Sequence, residues 1–188
     1  MKIDNDKYMV AIQAPSNINS VVKNLQYAIF KAKGLVSAIL FSPCIPVLFS
    51  DVPVDRKTIL SRTYPATGPV RTGDYVFHKN CLYLEILQDT AAIEQTFIWT
   101  WLRDKLQKSE IKAFIDPFPG FFLAFEEEPH AFESIKDLLF PPPRLQWRVC
   151  ALQCTKLNIL EGVENWWEGM YSEIIWSVKL RAGGKPAE

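Results

Sequence analysis

Groups able to move a proton near neutral pH are scarce in this sequence. There are two histidines, His78 and His130, and four cysteines, Cys44, Cys81, Cys150 and Cys154. Imidazole titrates between pH 5 and 8 without help, whereas a thiol needs a lowered pKa to act as a nucleophile. His78 opens a strand-like stretch and reads as a hydrogen-bonded structural residue. His130 follows Pro129 where a helix would begin and reads as solvent-exposed. No CxxC pair is present, so no zinc site is expected. Cys150 and Cys154 lie four apart on an expected strand, about 13 Å along it, too far for a disulfide. All four thiols are expected to be buried and reduced. Glu126, Glu127 and Glu128 follow a strand, where a solvated acidic cluster before a helix is the plain reading. Trp166 and Trp167 are adjacent and cannot both face inward on a strand. Packing under a loop is expected of them, with stacking on a base or sugar as the functional reading. The phosphate-binding and hydrolase motifs GxxxxGK[ST], GxGxxG, GxSxG and HExxH are absent, so neither a metal nor a cofactor is expected.

The elements that must position these residues belong to a globular chain. Of its 188 residues 48% are hydrophobic, 13% aromatic and 22% charged, enough apolar content for one large domain or two small lobes. Lys+Arg and Asp+Glu balance at 21 each, so there is no long-range attraction to a phosphate backbone, and DNA is not an expected partner. The first six residues lack the apolar stretch of a secretory leader, and no apolar run reaches the roughly 18 residues of a membrane helix. A cytoplasmic protein is expected.

The strand at the centre of the second half is expected at 115–125. Pro117 and Pro119 keep its approach extended. Phe121, Leu123 and Phe125 would fall on one face, with Phe122 and Ala124 on the other. Since both faces are apolar, a central, doubly covered strand is predicted. A similar strand is expected at 39–49. In chain order, residues 8–14 alternate as a strand and 17–33 as a helix with an inward stripe of Val21, Leu25, Ala28, Ile29 and Ala32, ended by Gly34. Residues 51–61 are a short helical candidate. A strand at 76–87 and a helix with Ile93, Phe97, Trp101, Leu102 and Leu106 inward lead to the strand at 115–125. A helix at 129–140 and two closing strands at 145–159 and 171–180 complete the reading, with 161–169 as their connection. The order strand, helix, strand recurs: 36 residues separate Tyr8 from Cys44 and 38 separate Leu82 from Gly120. That spacing predicts an internal duplication of pattern.

This layout resembles the two-histidine (2H) phosphoesterase superfamily, which includes the bacterial 2′-5′ RNA ligase-like proteins and the cyclic phosphodiesterases. The matching pieces are residues 8–15, the helix containing Leu25 and Gln26, residues 76–84, and the closing strands at 147–157 and 171–180. The family's chemistry rests on two copies of His-x-Thr or His-x-Ser. Residues i and i+2 of a strand share a face, so imidazole and hydroxyl enter one groove. There one His takes a proton from the attacking hydroxyl and the other gives one to the leaving oxygen. The hydroxyls hold the phosphate oxygens. In this sequence the matching positions are Cys44 and Pro46 in the first half and Gly120 and Phe122 in the second. No His-x-Thr or His-x-Ser occurs anywhere.

The resemblance implies an α+β fold of two pseudo-symmetric lobes, with antiparallel sheets flanking a central groove and helices outside. The expected divisions are a first lobe at 1–62, a linker at 63–74, a second lobe at 75–143, closing strands at 144–181 and a polar tail at 182–188. The function it suggests is a ligand- or partner-binding protein that has lost the inherited phosphodiesterase or ligase activity. Cys44, Pro46, Gly120, Phe122, Arg148 and Lys156 are the candidate ligand-binding residues. The ligand would be a small nucleotide-like or aromatic molecule, or an RNA end. The alternative is a divergent 2′,3′-cyclic phosphodiesterase or RNA ligase-like enzyme that uses His78 with Lys79, Arg148 or Lys156.

Overall fold

Tyr8, Val10 and Ile12 face one way along the first strand and Met9 and Ala11 the other, and all five are buried. Such a strand needs cover on both sides, and the structure, a computed structural model, supplies it. Residues 7–57, 69–88, 98–107, 117–125, 141–148, 151–159 and 170–179 are described. The strands are β1 (Lys7–Gln13), β2 (Ile45–Ser50), β3 (Val70–His78), β4 (Cys81–Gln88), β5 (Gly120–Phe125), β6 (Gln146–Trp147), β7 (Ala151–Ile159) and β8 (Met170–Lys179). The helices are α1 (Ser16–Lys33), α2 (Ser37–Leu40) and α3 (Ile98–Gln107). The strands form two antiparallel four-stranded sheets, in the orders β2-β1-β7-β8 and β5-β4-β3-β6. One apolar cluster runs through both sheets, from Val10, Ile12 and Leu152 to Leu82, Leu84, Phe121 and Trp147. A smaller cluster of Met9, Ala11, Cys44 and Leu157 lies on the opposite face of the first sheet.

Helix α1 ends as its sequence predicts, with Gly34 at φ 68° and its N–H bonded to the Phe30 carbonyl. Its buried side chains are Ile18, Val22, Gln26 and Ile29, whereas Ala32 is exposed. The stripe is turned from the expected one because a polar residue, Gln26, occupies an inward position. In α3, Trp99 and Leu102 are buried, and Ile93 and Phe97 lie outside the described residues.

Several expected strands are divided differently. Ile39 and Leu40 belong to α2, and β2 starts only at Ile45. Residues 76–87 are parts of two strands folded back on each other. Lys79 and Asn80, at φ 46° and 61°, make the two-residue turn between β3 and β4, a conformation matched to strand twist. Strand β3 begins at Val70, inside the stretch expected as a linker. The single strand expected at 145–159 is two strands in different sheets, because β6 pairs with β3 and β7 with β1 and β8. Strand β5 stands at the edge of its sheet rather than inside it. Its outer side is covered by the other half of the molecule, which is why its sequence is apolar on both faces. Of the helical candidate at 51–61, residues 58–61 lie outside the described residues, as do the helix expected at 129–140, residues 161–169 and Cys150.

Candidate functional site

Strands β2 and β5 carry the candidate residues, and the two halves build them in the same register. In the first sheet Ile12 is opposite Ile45 and Ala11 opposite Pro46; Val47 is then skipped and Val10 is opposite Leu48. In the second, Leu84 is opposite Phe121 and Tyr83 opposite Phe122; Leu123 is then skipped and Leu82 is opposite Ala124. A bulge thus falls immediately after Pro46 in one half and after Phe122 in the other. Cys44 and Pro46 therefore correspond to Gly120 and Phe122. Bulges re-aim side chains at the edges of sheets, and this one breaks the simple alternation expected for 115–125.

The two edge strands meet at these positions. The Phe122 N–H donates to the Cys44 carbonyl at 3.3 Å. Buried Gln26, on α1, donates from Nε2 to the carbonyls of Phe122 (3.1 Å) and Phe41 (3.3 Å). Buried Trp99, on α3, donates from Nε1 to the Pro46 carbonyl at 2.8 Å. A helix of each half thus satisfies the equivalent carbonyl of the other half. Ser37 completes the cover: its hydroxyl donates to the Phe125 carbonyl at 2.6 Å and accepts from the Phe125 N–H at 3.0 Å. Edge strands expose unpaired backbone groups, and here side chains from the opposite half take them up.

Phe122 heads a row of rings. Its ring stands edge-on to Phe41 (centroids 5.3 Å apart) and to Tyr83 (6.0 Å). Tyr83 packs on Phe118 at 5.4 Å, and Phe118 on His78 at 5.5 Å. The register puts Phe122, Tyr83, Val76, Cys81 and His78 on one face of the second sheet, the face turned from the main core. Phe122, Phe118 and His78 are half-buried, so one side of the row reaches the surface.

Burial holds the thiols and the phenol at this junction in their neutral forms. Burial pushes the Cys44 thiol up to about 12 and leaves it neutral. Burial also raises Cys81 to about 11, partly offset by its hydrogen bond with the Tyr83 hydroxyl. Burial first, then the nearby Cys81 and Cys44, pushes the Tyr83 phenol far above its ordinary range. Gly120 has no room for a side chain. A Cβ there would lie 2.9 Å from the Leu84 carbonyl oxygen and 3.0 Å from Tyr83 Cβ.

Cys44, Pro46, Gly120 and Phe122 come together, then, and His78 stands at the far end of the ring row, while Lys79, Arg148 and Lys156 lie apart. Lys79 is exposed at the β3–β4 turn. Arg148 is exposed just past β6, at the edge of the second sheet farthest from β5. Lys156 is opposite Tyr8, on the face of β7 that turns away from Met9, Ala11 and Cys44. His130, residues 126–128 and both Trp166 and Trp167 lie outside the described residues. Sequence reasoning did not single out Gln26, Ser37 or Trp99. A glutamine at an inward helical position was the one available signal, since a buried amide needs partners.

No family model matches the chain, and no curated protein matches it. Solved structures do. TT0787 of Thermus thermophilus superposes with a TM-score of 0.63 at 12% identity, over 94% of this chain and 98% of that one. LigT of E. coli complexed with NADP+ gives 0.61 at 11% identity, over 94% and 98%. A phosphoesterase gives 0.54 at 14% identity, over 93% and 98%. LigT has also been solved with 3′-AMP and with ATP. The chain has the LigT-like fold of the 2H phosphoesterases.

Proposed function

From that fold, and from what fills its centre, we propose that this protein binds a small nucleotide-like or aromatic ligand and does not turn over phosphodiesters. The observation that carries the reading is the ring row, Phe41–Phe122–Tyr83–Phe118–His78, on the groove face where His-x-Thr chemistry would operate. Acid–base catalysis there needs two groups that exchange protons near neutral pH. The positions matched to the family's histidines hold a neutral buried thiol, Cys44, and a glycine, Gly120. Those matched to its hydroxyls hold Pro46 and Phe122. Aromatic faces instead favour stacking, worth about 1–3 kcal/mol per base. The half-buried rings of Phe122 and Phe118 would receive the ligand, with Cys44, Pro46 and Gly120 forming the wall behind them. The nucleotides bound by LigT support 3′-AMP as the first ligand to try. A cytoplasmic location belongs to the same reading.

The test pairs turnover with binding on the full chain. With a 2′,3′-cyclic nucleotide no hydrolysis above background is expected. Titration with 3′-AMP should shift the NMR resonances of Phe118, Tyr83 and Phe122, and Phe118→Ala should weaken that binding. Turnover that is lost in His78→Ala would overturn the proposal in favour of a divergent cyclic phosphodiesterase. Absence of saturable binding by 3′-AMP and by phenol, a bare aromatic probe, would remove the ligand reading.

A further inference from the structure

A cavity lies away from the β2–β5 junction. It occupies about 430 Å³ and is lined by Arg71, Thr72, Leu87, Arg144, Leu145 and Gln146. Arg71 and Gln146 are cross-strand partners on β3 and β6, and Leu87 is opposite Arg71 on β4. These side chains share one face, since Val70, Ile86 and Trp147, at alternate positions, point into the core. Arg144, Gln146 and Arg148 recur at every second position, and both arginines are exposed.

The backbone carrying Arg144 is pinned. The Thr72 N–H donates to the Leu145 carbonyl at 2.9 Å. The Leu145 N–H donates to Thr72 Oγ1 at 2.8 Å, and that hydroxyl donates to the Pro143 carbonyl. Thr72 is buried, and these three hydrogen bonds fix the chain on both sides of Arg144. Among the described residues the Arg71 guanidinium has no hydrogen-bond or ion-pair partner. The nearby Glu85 carboxylate is turned over Gly73 instead. Arg144 reaches Asp74 at 3.3 Å, an exposed contact of the weak kind, which leaves most of its five donors unused.

We propose that Arg71, Arg144 and Gln146 form a binding site for a small phosphomonoester that carries an apolar group. Two planar guanidinium forks and an amide supply three separate donor groups. That number suits the three terminal oxygens of a phosphomonoester and exceeds the two of a carboxylate. The volume is larger than a phosphate requires and falls in the range of small-molecule sites. Leu87 and Leu145 offer apolar surface to the remainder of the ligand. The site is independent of the ring row and of any reading of it, because it uses the opposite edge of the second sheet.

The test is an NMR titration of the full chain with phenyl phosphate, with inorganic phosphate and phenylacetate as comparison probes. Phenyl phosphate should saturate, shift resonances of Arg71, Leu87, Leu145 and Gln146, and bind more tightly than either comparison probe. Arg71→Gln and Arg144→Gln change exposed side chains, and each should weaken binding by about 10- to 100-fold, as expected for loss of one charged donor. Phe118→Ala should leave this titration unchanged, which separates it from the groove reading. Equal affinity in wild type and Arg71→Gln would overturn the proposal. So would phenylacetate binding as tightly as phenyl phosphate, or shifts confined to the ring row.

Discussion

Phe122 donates its backbone N–H to the carbonyl oxygen of Cys44, and that bond joins the edge of one sheet to the edge of the other. By the register of the two halves, its counterpart would run from residue 46 to the carbonyl of residue 120. Residue 46 is proline and has no N–H to give. The junction is therefore one-sided in its backbone bonds and depends on side chains. Gln26 and Trp99 supply the donors, and both reach across from the opposite half.

Replacing Gln26 with Leu keeps the shape but removes the donor to the Phe41 and Phe122 carbonyls. A buried acceptor left without a partner costs about 1–3 kcal/mol. Urea unfolding of Gln26→Leu should give an unfolding free energy lower by that amount, read as a lower midpoint with an unchanged slope. A midpoint equal to wild type would mean that water replaces the amide.

Gly120→Ala should destabilise by about 1–3 kcal/mol, since the added Cβ meets Leu84 and Tyr83 of β4 rather than open space. Gly120→His should be worse and should not restore acid–base chemistry, even combined with Cys44→His. The measurement is the unfolding midpoint together with cyclic phosphodiesterase activity. Activity gained on restoring both histidines would show that the groove opens further than this geometry allows.

Stability should fall as the pH rises above about 9. The thiols of Cys44, Cys81 and Cys154 are raised by burial to about 12, 11 and 11. In the unfolded chain they release protons near 9, so between 9 and 11 the folded state binds more protons than the unfolded one. The sign of the linkage then makes folding less favourable with each step in pH. Urea midpoints measured from pH 7 to 11 should decline, and Cys44→Ala should flatten part of the decline. A profile that is level to pH 11 in wild type would contradict the burial of these groups.

The β3–β4 turn should tolerate improvement. Lys79 sits at φ 46°, a region that costs most residues about 1 kcal/mol or more. Lys79→Asn should raise the unfolding free energy by about 0.5–1 kcal/mol, because asparagine is preferred in such turns, even if the contact that Lys79 makes is lost. A drop in stability would show that this contact outweighs the strain.

The sequence by itself determined the class of the molecule. Period-two and period-3.6 apolar patterns, Gly34 and the recurrence of strand, helix and strand are local, and they carried the α+β class and the duplicated order of elements. The resemblance to the two-histidine phosphoesterases, rather than periodicity, matched Cys44 and Gly120 to that family's histidines and Pro46 and Phe122 to its hydroxyls. Tertiary structure decided which edges meet. An apolar stretch such as 120–125 has the same sequence signature whether it is covered by sheet neighbours or by the other half of the molecule. Its position at an edge therefore could not be read. The single strand expected at 145–159 became two for a related reason: pairing partners are distant in sequence, and nothing local says where a chain leaves one sheet for the other. Gln26, Trp99 and Thr72 owe their roles to carbonyls 96, 53 and 71 residues away. A hydrogen bond over that distance is invisible until the fold closes it.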